Sequence, residues 1–400
     1  MLAMLLGCGA CSSPDRAPIM ADPAPGAEMN TGGGTVLAGS GGNAAVGQPA
    51  TGTGSMPASM VAEDAAVVGG PSLDAGSGTT RPEPNPVDAC GTDLQATVGE
   101  ARPDFGTIPV PVAFKGDPNE MGTYAVRSIQ ETIPNPDATR PALDATFYVP
   151  SSDGGNTIAD GKFAFVLVMH GFGTTHVFYE HFTKHMASHG LVVLGITLPG
   201  SLVAVHDKNA DEAIAAIDFA LGDPKATEVT AHIDQTKVAV AGHSFGGKIA
   251  FYAAAKDPRI DLVIGWDPSN AGGPPCFVDP NACNSFTVAP NCLAMDSGIV
   301  HKLRAETLIF RAAPDGANPE PAHNAIHFFR GAPEPATLID YDTSVLHGDF
   351  ANATAAVVPR ARRVQLAFLL NRFYGTTGLE AWLPNGKDIG AGAVRVLYKP

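Results

Sequence analysis

Ser244, His347 and an aspartate at either 267 or 315 are the residues whose types and order could together perform covalent chemistry in this chain. A serine hydroxyl is a poor nucleophile until a neighbouring base takes its proton, and that base needs a third group to orient it. Ser244 is the centre of Gly242-His243-Ser244-Phe245-Gly246, a G-x-S-x-G. In a chain with 45 glycines the bare motif says little, so its flanks decide. Lys237 to Ala241 is a short apolar, partly β-branched run that reads as a buried strand. Ile249 to Ala255 is Ala-rich and reads as a helix. A strand-to-helix turn this tight strains its central residue and lifts the hydroxyl above the sheet. The helix N-terminus beside it favours developing negative charge. The chemistry implied is attack on an acyl carbonyl.

The partners follow from the same requirement. The order expected along such a chain is Ser, then acid, then His. After Ser244 come His301, His323, His327 and His347. His347 is best placed, because it follows a predicted strand over Leu338–Tyr341 in the short loop Ser344–Phe350, at the carboxyl edge where such sites form. His323 and His327 are one helical turn apart, a spacing a metal could use. Two imidazoles alone read as a solvated helix face, and no metal or cofactor is expected. The acid has two candidates. Asp267 ends the run Leu262–Trp266, and Asp315 ends the next, Ile309 to Pro314. Either strand end can present a carboxylate to the same imidazole, and the other Asp would form a turn or cap a helix. The oxyanion needs backbone N–H donors. Phe245, just after the nucleophile, supplies one, and Phe172 in His170-Gly171-Phe172-Gly173 supplies the other; His170 itself reads as structural. Phe172, Phe245 and Trp266 would line an apolar cleft, with Trp266 a candidate substrate contact; a core role fits these aromatics equally.

The elements needed to hold these residues are legible as alternating patterns. Tyr124–Thr132 and Ala145–Val149 read as strands joined by a Pro/Asp-rich turn. Phe163–Met169 is a continuous apolar run, as in a central parallel strand covered on both faces. A helix over about Val177–His189, a strand at Leu191–Ile196 and a helix over Asn209–Leu221 lead to the strand before Ser244. Strands at Asp261–Trp266, Glu306–Arg311 and Ala336–Tyr341 follow, with helices over about Ala322–Arg330 and Pro359–Tyr374. The alternation predicts an α/β fold: a mostly parallel central sheet with helices on both faces.

Composition bounds the rest. Residues 12–90 are rich in Gly, Ala, Pro, Ser and Thr, a stretch that cannot bury enough apolar surface to order itself and reads as a tether. Residues 91–400 suit one catalytic domain. A formal net charge of −15 and a pI near 5.1 argue against nucleic acid as a partner, since phosphate binding needs a basic face. Residues 1–11 include Leu5-Leu6-Gly7-Cys8, which resembles a bacterial lipoprotein signal, although no Lys or Arg precedes it and the apolar run is short. The expectation is an exported monomer, held in the cell envelope by a lipid on Cys8 or secreted. Cys276, Cys283 and Cys292 crowd an insertion at about 270–300 that lacks a hydrophobic pattern, and a disulfide among them, with Cys90 as a further partner, would staple it.

With these residues assembled, the stretch Tyr124–Tyr374 resembles the branch of the α/β-hydrolase superfamily that holds chlorophyllases, cutinase-like polyester hydrolases and platelet-activating-factor acetylhydrolases. His170-Gly171-Phe172, Phe178-Tyr179 and Ala187 to Val193 are similar to that branch's segment from oxyanion loop to next strand. Gly242 to Phe251 is similar to the chlorophyllase elbow, and Gly265-Trp266-Asp267-Pro268 resembles the chlorophyllase G-x-D-P, whose Asp is the acid. The polyester-hydrolase pattern instead implies Asp315, with Pro319, His323 and His347 falling in line. Those enzymes generally lack the D-P present here, and Asp267 is preferred with Asp315 as the alternative. The insertion departs from all these relatives. The resemblance implies a serine esterase acting on lipid-like, aromatic or polyester substrates. Acyl transfer or amide cleavage on the same triad, or a binding lipoprotein on an inactive hydrolase fold, are the competing readings.

Overall fold

The apolar runs become the strands of a single sheet in the computed structural model, which describes residues 112–199, 206–269, 302–313, 325–341 and 344–400, all within one unit spanning Val68–Pro400. The strands are β1 (Ala125–Ile133), β2 (Leu143–Ser151), β3 (Phe163–Met169), β4 (Leu191–Thr197), β5 (Ile233–His243), β6 (Leu262–Trp266), β7 (Glu306–Arg311), β8 (Ala336–Tyr341) and β9 (Ala393–Lys399). The helices are α1 (Glu180–Ser188), α2 (His206–Leu221), α3 (Ser244–Lys256), α4 (Ile326–Gly331) and α5 (Val357–Tyr374). The tether, Cys8, the four other cysteines named above, the insertion at 270–300, and Asp315, His301 and His323 lie outside the described residues, as does the His327 side chain.

Strand order is β1-β2-β4-β3-β5-β6-β7-β8-β9. The six strands from β4 to β8 run parallel, and β1, β2 and β9 complete the edges in antiparallel pairing. The continuous apolar runs are explained by two cores. On β3, Phe163, Phe165, Leu167 and Met169 face one cluster with α2 and α3, while Ala164, Val166 and Val168 face a second with α1 and α5. A strand covered on both sides cannot afford a polar face, so period-two alternation vanishes from its sequence.

Three elements differ from their sequence reading. α3 begins at Ser244 itself, five residues before the Ala-rich run, because Gly246 and Gly247 in its first turn, which look like helix breakers, are needed for close contact. A Cβ on Gly246 would stand 2.4 Å from the His170 carbonyl oxygen, and one on Gly242 would stand 2.3 Å from the Gly246 carbonyl oxygen. The helix predicted at Val177–His189 is a 3-10 turn, His176–Tyr179, followed by α1. β9 was not foreseen. It is a half-exposed edge strand whose alternation is weak, and Arg395 on it reaches across to Asp340 of β8 at 2.7 Å.

Register aligns the carboxyl ends of the parallel strands. Met169 of β3 pairs Gly242 of β5, His243 pairs Trp266 of β6, and Trp266 pairs Phe310 of β7. The residues that follow these strands therefore emerge along one edge.

One buried carboxylate tests this arrangement at the opposite end of β6. Asp261 accepts the Val238 N–H at 3.0 Å, and its burial pushes its pKa up to about 6. A raised carboxyl pKa means the folded state resists the charge that the unfolded chain accepts at its ordinary value, near 4. The resulting destabilisation is absent below about pH 4, grows between pH 4 and 6, and is complete above. Asp261→Asn keeps an acceptor for Val238 without the charge. Its stability relative to the parent should rise by on the order of 2 kcal/mol between pH 4 and 7 and then level off, measured by chemical denaturation at several pH values.

Candidate active site

Ser244 is the residue at which β5 turns into α3, and its backbone is left-handed, with φ 54°. Such a conformation costs a non-glycine residue about 1–3 kcal/mol. The tight contacts of Gly242 and Gly246 around it leave the chain no other path. Asp267 leaves β6 with φ 43°, a second strained position at the same edge. Its N–H donates to the Phe310 carbonyl at 2.7 Å, and Pro268 packs against Gly247 and Gly265, where a Cβ on either glycine would meet the proline ring inside 3 Å. The D-P dipeptide is thus the fitted end of the strand.

His347 starts a 3-10 turn, His347–Ala351, beyond β8. Its Nδ1 lies 2.6 Å from Asp267 Oδ2 and its Nε2 lies 2.8 Å from Ser244 Oγ. A carboxylate oxygen can only accept, so Nδ1 carries the proton. Nε2 is then the lone-pair nitrogen facing the hydroxyl, the tautomer a general base requires. The second Asp267 oxygen accepts the Ala312 N–H at 3.1 Å, locking the carboxylate in place. All three groups are buried, with 5% exposure at Ser244, 6% at His347 and 1% at Asp267. Of the two candidate acids, Asp267 is the one that occupies Nδ1; Asp315 lies outside the described residues.

The remaining sequence candidates divide. Phe245, the second residue of α3, carries one of the four N–H groups that a helix start leaves without an intrahelical acceptor. Phe172 follows Gly171 in the loop after β3 and packs, partly buried, against the α2/α3 core cluster. His170 is structural, as expected. The Leu198 N–H donates to its Nε2 at 2.9 Å, so its Nδ1 holds the proton and donates it to the Gly171 carbonyl at 2.7 Å. Burial lowers its pKa, so it stays neutral. Trp266 is corrected. It has no exposed surface, its Nε1 donates to Gln365 at 2.9 Å, and its ring stacks on Phe182 at 4.5 Å and Tyr179 at 6.1 Å. A parallel strand covered on both faces gives an alternate residue to the core, so Trp266 packs inward and Asp267, one residue on, reaches the site.

Further residues support the His347 turn and carried no catalytic signature in sequence. His243 Nε2 lies 2.8 Å from the His347 carbonyl, and His181 Nε2 lies 3.1 Å from the Phe350 carbonyl. Asp349 Oδ2 accepts the Leu346 N–H at 2.9 Å, and the Ala313 N–H donates to the Val345 carbonyl at 3.0 Å. These bonds tie the His347 turn to α1, to the elbow and to the end of β7. Only His243 lay inside a recognised motif. Among the described residues no cluster of His, Cys, Asp or Glu has the arrangement of a metal site.

A left-handed serine between a parallel strand and a helix, met by a histidine from beyond a later strand, defines an α/β-hydrolase domain. Comparison with known proteins narrows the class. Residues 149–335 match the chlorophyllase family model. The chain is 30% identical to chlorophyllase-1 of Arabidopsis thaliana over 207 residues, 49% of this chain and 59% of that one. It is 27% identical to a bis(hydroxyethyl) terephthalate hydrolase of Streptomyces coelicolor over 172 residues, covering 42% and 54% of the two chains. It is 25% identical to cutinase cut1 of Thermobifida fusca over 155 residues, covering 38% and 48%. The domain is thus similar in sequence to chlorophyllases and to polyester-hydrolase-like enzymes, in keeping with its α/β-hydrolase fold. The chain spans between about half and two thirds of the length of these relatives, 48% to 59% for the three named.

Proposed function

We propose that this domain hydrolyses carboxylic esters through an acyl-enzyme on Ser244. The observation that carries the reading is the continuous set of hydrogen bonds from Ser244 Oγ through His347 to Asp267, at 2.8 and 2.6 Å. In the proposed first step, His347 Nε2 takes the hydroxyl proton as Oγ bonds to the ester carbonyl carbon, and the carbonyl oxygen becomes an oxyanion. The N–H groups of Phe245 and Phe172 are assigned to that oxyanion. As the tetrahedral species collapses, the ester C–O bond breaks and the imidazolium returns its proton to the leaving alcohol. Water then repeats the sequence on the acyl-enzyme: His347 takes one proton as the water oxygen bonds to the acyl carbon, and when the bond from that carbon to Ser244 Oγ breaks the imidazolium returns the proton to Oγ, releasing the acid and free Ser244. Asp267 holds the Nδ1 proton and offsets the imidazolium charge throughout.

An apolar ester is the substrate class best supported. Val177 and Phe178 lie in the 3-10 turn that follows the oxyanion loop, and Leu346 precedes His347; all three are about half exposed. Relatives named for a terephthalate diester and for cutin point the same way. The test uses the full chain with p-nitrophenyl butyrate and bis(hydroxyethyl) terephthalate, with a fluorophosphonate probe in parallel. Turnover of an ester, with the probe on Ser244, is expected. Folded protein that neither turns over an ester nor takes the label would overturn the assignment.

A further inference from the structure

The base, the nucleophile and the oxyanion loop meet at two side chains that the proposed mechanism does not use, Tyr179 and His243. His243 is the chain neighbour of Ser244, and its ring centroid is 4.6 Å from that of His347. Its Nε2 faces the His347 carbonyl at 2.8 Å, and its Nδ1 faces the Tyr179 hydroxyl at 2.6 Å. That hydroxyl also accepts the Gly171 N–H at 3.1 Å, one residue before Phe172.

The chemistry of the partners fixes every proton. A carbonyl oxygen only accepts, so His243 Nε2 carries hydrogen and donates it. In a neutral imidazole Nδ1 is then an acceptor, and the Tyr179 O–H must be its donor. The chain of bonds runs in one direction, from Gly171 N–H to Tyr179, to His243, to the His347 carbonyl. Burial keeps it in that state: it holds the His243 pKa well below the ordinary histidine value and pushes the Tyr179 hydroxyl up to about 12. A neutral His243 also spares His347 a second cation beside it when it becomes an imidazolium.

The surroundings are built around this chain. Tyr179 has no exposed surface, and its ring lies parallel to Trp266 at an interplanar angle of 5°. A Cβ on Gly171 would stand 2.7 Å from His243 Nδ1 and 3.0 Å from the Tyr179 hydroxyl, so only glycine admits the network there.

We infer that Tyr179 and His243 are positioning residues that hold the His347 backbone and the His170–Gly171 peptide, which leads to Phe172, in their catalytic placement, coupling the base to the oxyanion loop. The inference rests on the esterase reading. Its content is that the pair acts on the transition state and leaves substrate binding alone. Without the Tyr179 hydroxyl the Gly171 N–H loses its acceptor, and His243 loses the donor that fixes its tautomer, so both catalytic elements loosen together.

The experiment compares Tyr179→Phe, His243→Gln and His243→Leu with the parent, using kcat and KM for p-nitrophenyl butyrate, fluorophosphonate labelling rate and thermal melting. Tyr179→Phe keeps the ring stack and removes only the hydroxyl. Its kcat and labelling rate should fall by roughly 10- to 100-fold, with KM within about threefold, as for a modest misplacement of reacting groups. His243→Gln retains a donor near the position of Nε2 and should keep at least about ten times the kcat of His243→Leu. Comparisons are made on variants that melt cooperatively. Should both His243 variants fail to fold, Tyr179→Phe decides alone. Should it too fail to fold, the hydroxyl is needed for the fold itself and the inference is overturned. Parental kcat in Tyr179→Phe, or a raised KM at parental kcat, would also overturn it. Absence of turnover and of labelling in the parent would instead overturn the esterase reading, so the two failures are distinguishable.

Discussion

Ser244→Ala is expected to lower kcat for p-nitrophenyl butyrate by roughly 10⁵- to 10⁶-fold and to abolish fluorophosphonate labelling, while the protein stays folded. Removing the nucleophile of a Ser-His-Asp set costs about as much as removing all three groups, because none of them works alone. The residual rate would come from binding and from the oxyanion donors. Folding should survive for a geometric reason. Ser244 sits at φ 54°, and alanine has no more difficulty there than serine. The glycine contacts that impose this conformation lie at 242 and 246, not in the serine side chain. Measurement of kcat by initial rates, with far-ultraviolet dichroism as the folding control, checks both halves. A Ser244→Ala protein with more than a few per cent of the parental rate would mean that the turnover belongs to another residue.

Asp267→Asn is expected to reduce kcat by roughly 10³- to 10⁴-fold, and Asp315→Asn by no more than about threefold. An amide at 267 can still accept the Ala312 N–H or face His347 Nδ1, so the geometry survives. The NH2 group can present a hydrogen to Nδ1, however, which would favour a proton on Nε2 and turn the base away from its function. The two carboxylates are separated by this pair of variants because only one can hold Nδ1 at a time. In the present geometry Asp267 Oδ2 does so at 2.6 Å. The reverse outcome, a large loss at Asp315 and a small one at Asp267, would transfer the acid to the end of β7 and reassign Asp267 to holding the Ala312 N–H.

Much of this protein was visible before its structure. β3, β7 and β8 match their apolar runs residue for residue, because buried parallel strands show as unbroken hydrophobic sequence. The elbow was legible because strand, serine and glycines are contiguous, and His347 because it follows a strand end. The misses share a cause. β9 is an edge strand packed on one neighbour, and half burial leaves a weak pattern. The first turn of α3 carries glycines, whose need arises from His170 and Pro268, residues remote in sequence.

The sequence by itself determined the strand-to-helix turn at Ser244, the place of His347 beyond a strand end, the order of the elements and the α/β layering, since each depends on local pattern or on the sequence of strand ends. Tertiary structure alone placed Asp267 at His347 Nδ1, moved Trp266 from cleft to core, and joined Tyr179 and His243 to the His347 turn. These are contacts across 80 residues from Asp267 to His347, 99 from Trp266 to Gln365 and 104 from His243 to His347. Local preference cannot encode such distances. They are decided by strand register, which brings separate chain ends to one edge, and by which side of a doubly covered sheet each side chain faces.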